Sequence, residues 1–234
     1  MNYTLTNGTS FPLVEITLDK GEEIKIERGS MVYHNGQISL EGKMNSNGKN
    51  GLGGFFSAVG RSMTSGESFF ISHAISQENN SKIAIAPGTI GAIRELVVGD
   101  TQWRLNTGVF LACDNSVSYN MVKQSVGKAL FAGTGGLFVM ESLGSGSLLV
   151  SSYGDIVELE LDGSKDFIID NTHVVAWEDS LNYSIEVASG MFGFKTGEGL
   201  VNRFTGTGKV LIQTRNIQSL AGILSPFMDS GSSN

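Results

Sequence analysis

The sequence predicts an all-β chain, a sandwich or barrel, built from three internal repeats. Three observations predict it. Short runs of alternating apolar and polar residues recur along the chain, bounded by Gly, Asn, Asp and Ser, with turn signals about every 8 to 12 residues. Gly is 31 of 234 residues while Pro is only 3, a pattern of many tight corners without collagen's three-residue period. One order of sequence blocks occurs three times, and such self-similarity is the mark of a repeat architecture.

The strand-like runs come in order: LVEITL (13–18), EEIKIE (22–27), KIAIA (82–86), WRLN (103–106), SLLVSS (147–152), DIVELEL (155–161), DFIID (166–170), YSIEVA (183–188) and KVLIQT (209–214). Each alternates, or is a short apolar run between turn residues, as a strand with one or two buried faces requires. Helical pattern is scarce. Ile217, Leu220, Ala221 and Leu224 follow the i, i+3, i+4, i+7 stripe, with Asn216 placed to cap and Pro226 to stop the helix. NMVKQSVGKALF (120–131) is a second, weaker helical candidate.

The blocks give the repeat its register. GEEIKIERGSMVYH (21–34), WRLNTGVFLAC (103–113) and FIIDNTHVVAW (167–177) align with Gly29, Gly108 and Thr172 in one column and Val32, Leu111 and Val175 in another. GESFFIS (66–72), TGGLFVM (134–140) and GEGLVNR (197–203) form the second block; KIAIAPG (82–88), SLLVSSYG (147–154) and KVLIQTRN (209–216) form the third. The expected copies span about 10–86, 87–152 and 153–216 of a single domain over 1–224, followed by a flexible tail over 225–234. Each copy carries a Gly-plus-aromatic insert between its first and second blocks: GLGGFFSAVG (51–60), GKALFAG (127–133) and GMFGF (190–194). Their large apolar residues, Phe55, Phe56, Leu130, Phe131, Met191, Phe192 and Phe194, are candidates for a shared contact surface or for plugs of the core.

Composition excludes several classes. The formal charge is −7 and no basic run occurs, which argues against DNA and against general nucleic-acid binding. Cys113 is the single cysteine, so no intrachain disulfide forms, as fits a reducing cytoplasm. The first residues, MNYTLTNGTS, lack the pattern of a signal peptide, and no stretch approaches the ~18 apolar residues of a membrane span. The localisation expected is cytoplasmic.

GEGLVNRFTGTGKVLIQTR (197–215), GESFF (66–70) and SYGDIVELEL (152–161) carry a resemblance. They resemble the signature blocks of the altered-inheritance-of-mitochondria protein twenty-four family, a domain of unknown function, over roughly 10–224. The resemblance implies the tryptophan RNA-binding attenuator-like fold, a β-sandwich of double-stranded β-helix type with three structural repeats in a pseudo-threefold arrangement. It implies no catalytic residues. Mitochondrial members support inner-membrane organisation, but the sequence shows no transit peptide, so that role is not expected to transfer.

The search for chemistry gives no catalytic constellation. The three histidines, His34, His73 and His173, have no ligand spacing and no His-x-His pair occurs, so neither metal nor cofactor is expected. No G-x-S-x-G elbow is present, and Cys113 lies in an apolar run where an inert buried thiol is expected. GKNGLGG (48–54) lacks the Lys-Ser/Thr pair of a phosphate loop. In the repeat register His34, Cys113 and Trp177 share a column, which a threefold axis could gather. Arg203, Lys209 and Arg215 form a weak candidate polar site in the third copy, with interspersed acidic residues arguing against RNA there. The expectation is a non-catalytic structural or interaction protein that self-associates, a trimer being one form, or binds a protein partner or a membrane surface. A small-ligand binding module is the alternative, and RNA binding, which only the attenuator-like resemblance implies, ranks below it.

Overall fold

The computed structural model describes residues 1–6, 11–43, 71–124, 137–188 and 199–228. The described residues are all-β, with antiparallel strand pairing and one short α-helix near the C-terminal end. A leading strand β1 (Asn2–Leu5) precedes a first group of six: β2 (Val14–Leu18), β3 (Glu23–Glu27), β4 (Met31–His34), β5 (Ile38–Lys43), β6 (Ile71–Ser76) and β7 (Ser81–Ile85). The second group is β8 (Ile93–Val98), β9 (Trp103–Asn106), β10 (Phe110–Asp114), β11 (Val117–Lys123), β12 (Phe138–Gly144) and β13 (Gly146–Ser151). The third is β14 (Ile156–Asp162), β15 (Phe167–Asp170), β16 (Val174–Glu178), β17 (Asn182–Val187), β18 (Leu200–Thr205) and β19 (Thr207–Gln213). The helix α1 covers Ile217–Leu224, with the Asn216 side chain accepting from Ser219 N at 2.8 Å, as its stripe and cap predict. None of its residues is buried.

Pairing is the same in each group. The first strand pairs with the sixth (β2·β7, β8·β13, β14·β19) and the sixth with the third (β7·β4, β13·β10, β19·β16). The fourth pairs with the fifth (β5·β6, β11·β12, β17·β18) and the fifth with the second (β6·β3, β12·β9, β18·β15). A bulge interrupts the third strand at the same place each time, between Met31 and Tyr33, Phe110 and Ala112, and Val174 and Ala176. Before that strand, Gly29 and Gly108 turn the chain at φ 82° and 84°. Thr172 holds their place in the third group without a glycine, because Asp170 Oδ1 accepts from its backbone N at 2.8 Å and closes a 3-10 turn instead.

Two cross-group pairings join the groups, β3·β10 and β9·β16. The result is two six-stranded sheets, β5-β6-β3-β10-β13-β8 and β11-β12-β9-β16-β19-β14, and two smaller ones, β1-β2-β7-β4 and β15-β18-β17. A closed pseudo-threefold arrangement needs a third junction, β15 against β4, and no such pairing forms among the described residues.

Alternation explains the cores. Val14, Ile16 and Leu18 of β2 and Ile24 and Ile26 of β3 point inward between polar neighbours. β10 and β16 are buried on both faces, and their apolar runs feed two cores each. Phe110 and Cys113 enter the second core while Leu111 and Ala112 enter the first. Val174 and Trp177 enter the third core while Val175 and Ala176 enter the second. In the third core Trp177 meets Tyr183 and Phe204 edge-on at 4.9 and 5.5 Å. Among the described residues Trp177 Nε1 and Asn202 Nδ2 lack hydrogen-bond partners there.

Two sequence readings are corrected. Of the weaker helical candidate over 120–131, Asn120–Lys123 lies in β11 and pairs with β12, while 125–131 lie outside the described residues. The alternation begins at Val117 and runs through Tyr119 and Met121, all of which pack on the second core. In the second block, Ser72 faces Ile26 and Met140 faces Leu105, but Asn202 rather than Arg203 faces Ile169, so the third member is one residue out.

Candidate functional site

The most distinctive surface lies along two strands with exposed apolar side chains. Among the described residues β4 is an edge of its sheet and β15 of another. Met31, Val32 and Tyr33 are 38%, 52% and 45% exposed, and Phe167 and Ile168 are 43% and 53% exposed. The residues of β10 and β16 that correspond to those of β4 (Phe110, Leu111, Ala112, Val174, Val175, Ala176) are all 2% exposed or less. Side chains of one type are therefore buried where a neighbouring group covers them and bare where none does. An exposed apolar edge strand is a template for pairing with another chain.

The formed junctions are also clamped by a cation. Lys25 on β3 donates its Nζ to Asn115 O at 2.9 Å, in the turn after β10, and to Val117 O at 2.6 Å, at the start of β11. Arg104 on β9 donates Nη1 to Asp179 O and Leu181 O at 3.2 and 3.0 Å, in the turn after β16. Arg104 also pairs through Nε with Glu141 at 3.0 Å and lies over the Tyr183 ring. Lys25 sits opposite Cys113, and Arg104 opposite Trp177. The residue at the same place on β15 is Ile168, nine residues before Trp177 as Lys25 is nine before His34. The repeat register contained this column of cation, cation, isoleucine, and it is the signal that could have found the open junction.

A cleft of about 280 Å³ lies between the second and third groups, lined among others by Asn106, Gly108, Ser151, Thr172, Gln213 and Ile217. Its polar side chains hold backbone. Asn106 Nδ2 donates to Asn171 O at 2.8 Å and Val174 O at 3.2 Å. Gln213 Nε2 donates to Thr172 O at 2.8 Å while its Oε1 accepts from Tyr153 N at 2.9 Å. These groups join the second and third groups of strands across the cleft.

The polar candidate does not form a basic patch. Arg203 pairs with Glu186 at 3.0 Å and Asp166 at 3.1 Å; Lys209 pairs with Glu158 at 2.7 Å. Those partners hold both cations above their usual pKa, the hydrogen bond to Glu186 leading for Arg203 and that to Glu158 for Lys209. Arg215 donates Nη1 to Thr214 O at 2.9 Å. Phe55, Phe56, Leu130, Phe131, Met191, Phe192 and Phe194 lie outside the described residues. Cys113 and Trp177 sit in two different cores, so no axis gathers their column. His34 Nδ1 accepts from Gly36 N at 3.1 Å, His73 bonds Glu23, and His173 lies between Gln213 O at 2.7 Å and Asn216 Nδ2 at 3.0 Å. Among the described residues no three His, Cys, Asp or Glu gather as a metal site, and no helix is long and apolar enough to cross a membrane.

Comparison with known proteins agrees with the blocks that first suggested a family. An uncharacterised protein of Streptococcus pyogenes serotype M6 is 46% identical over 233 residues, covering 99% of this chain and 93% of that one. The crystal structure of a Streptococcus pyogenes protein from a structural genomics consortium is 44% identical, with a TM-score of 0.82 over 97% of this chain and 99% of that chain. The family profile described as "Mitochondrial biogenesis AIM24" matches residues 3–215, which takes in all three groups of strands, and the chain belongs to that family.

Proposed function

We propose that this chain is a non-catalytic structural or interaction protein that binds other polypeptides along its open strand edges. One observation supports the reading above all: β4 and β15 expose apolar side chains and end their sheets among the described residues, while the corresponding strands inside the molecule are covered. The chemistry found elsewhere supports the same direction. Arg203 and Lys209 are engaged in ion pairs, and Asn106 and Gln213 of the cleft bond to backbone carbonyls.

Native size in an extract of cells that make the protein tests the reading. The wild-type chain is expected in an assembly larger than its 24.9 kDa, and Val32→Asp, which puts a charge on the open face of β4, is expected to release it. If both chains migrate as free monomers in the extract, the interaction reading falls.

A further inference from the structure

We propose that two copies of this chain join β4 of one to β15 of the other, antiparallel, with His34 opposite Ile168 and Tyr33 opposite Ile169. The inference rests on the interaction reading above and names its partner as a second copy of the chain.

The two small sheets are complementary halves of the sheet that the chain makes twice. Each six-stranded sheet takes the fourth, fifth and second strands of one group and then the third, sixth and first strands of the next. The sheet β17-β18-β15 is the first half of that order, and β4-β7-β2 with β1 added is the second half. The formed junctions fix the register. Cys113 faces Lys25 and Ala112 faces Ile26; Trp177 faces Arg104 and Ala176 faces Leu105. The same offsets place His34 against Ile168 and Tyr33 against Ile169.

The cores make the same demand. β10 sends Leu111 into the first core and β16 sends Val175 into the second, each into the core of the preceding group. Val32 is the residue that β4 would send in the same way, and it is 52% exposed. No buried residue of the third core comes from the first group, and none of the first core comes from the third. The third core lacks the strand that the other two receive. A second copy supplies it and covers the β15 edge that receives its β4.

The junction between copies differs from the internal ones in one respect. The cation that clamps the turn beyond the facing strand is replaced by Ile168. An arginine at 168 would face the carbonyls of Gly36 and Ile38 in the second copy, as Lys25 faces those of Asn115 and Val117. Restoring it therefore tests the register itself, because a charge weakens non-specific apolar sticking and strengthens only the aligned junction.

The test is sedimentation of the purified chain alone, across concentrations up to about 100 µM, where weak specific pairs still associate. Wild type is expected to self-associate. Val32→Asp is expected to weaken association by about a hundredfold, since it buries a charge. Ile168→Arg is expected to tighten it by about tenfold, as one added charge-assisted hydrogen bond does. Both positions are more than half exposed, so melting temperature serves as the check that the variants fold as wild type does. A wild-type chain that stays monomeric throughout, a Val32→Asp chain that associates as wild type does, or an Ile168→Arg chain that associates less overturns the proposal. If the purified chain is monomeric while the extract still holds it in a Val32-dependent assembly, the homotypic junction fails and the interaction reading stands.

Discussion

Cys113 is fully buried in the second core, with Sγ 3.8 Å from Val117 O. Burial pushes its thiol up to about 12, because the thiolate has no water and no close cation strong enough to hold it. The thiol of the native chain is expected to resist a disulfide reagent at pH 8 and to react at once in denaturant; rapid labelling of the folded protein would contradict its placement. Tyr3 and Tyr119 are likewise pushed up to about 12, chiefly by burial. All three groups keep their protons in the fold at a pH where the unfolded chain loses them. The stability they contribute is therefore present below about pH 9 and is lost as pH rises towards 12. Denaturant midpoints measured from pH 8 upward check the sign, and a midpoint that rises over that window would contradict it.

At the scale of elements, what fixes the fold is which strands lie side by side. Alternation placed β2, β3, β9 and α1 to within a residue, since their buried faces are written locally in Val, Ile and Leu at the right spacing. β8 escaped because IRELVV alternates weakly, with Val97 outside and Leu96 and Val98 inside. β11 is hard to recognise from Asn120 onward, because the alternation that marks it starts at Val117. The junctions were not legible in any single segment, since pairing across groups is a long-range choice. They are legible only when the columns of the repeat are compared, as Lys25, Arg104 and Ile168 show. The clamp at the second junction gives a measurable consequence. Arg104→Ala is expected to destabilise the protein by roughly 1.5–3 kcal/mol, because it leaves carbonyls of the turn after β16 without their charged donor. Arg94, which only reaches Glu158 at 3.5 Å on the surface, should cost about 0.5 kcal/mol or less when replaced by Ala. Equal costs in a denaturant titration would remove the clamp from the account.

For the whole molecule, three groups with the same pairing stand in a row of three cores, joined by two junctions and ending in two half-sheets. Edge strands are usually blunted by charge, proline or a covering loop. β4 and β15 carry MVYH and FIID instead, with apolar side chains turned to solvent. Such edges suit a molecule whose third junction is made with a partner. The most direct measurement is disulfide capture between two singly substituted chains. His34→Cys and Ile168→Cys are purified separately, mixed and oxidised, with the buried native Cys113 inert in both. A mixed dimer is expected, formed much faster than when Glu160→Cys, an exposed position on β14, replaces the Ile168 variant. No mixed dimer, or equal rates for the two partners, would contradict a junction between β4 and β15.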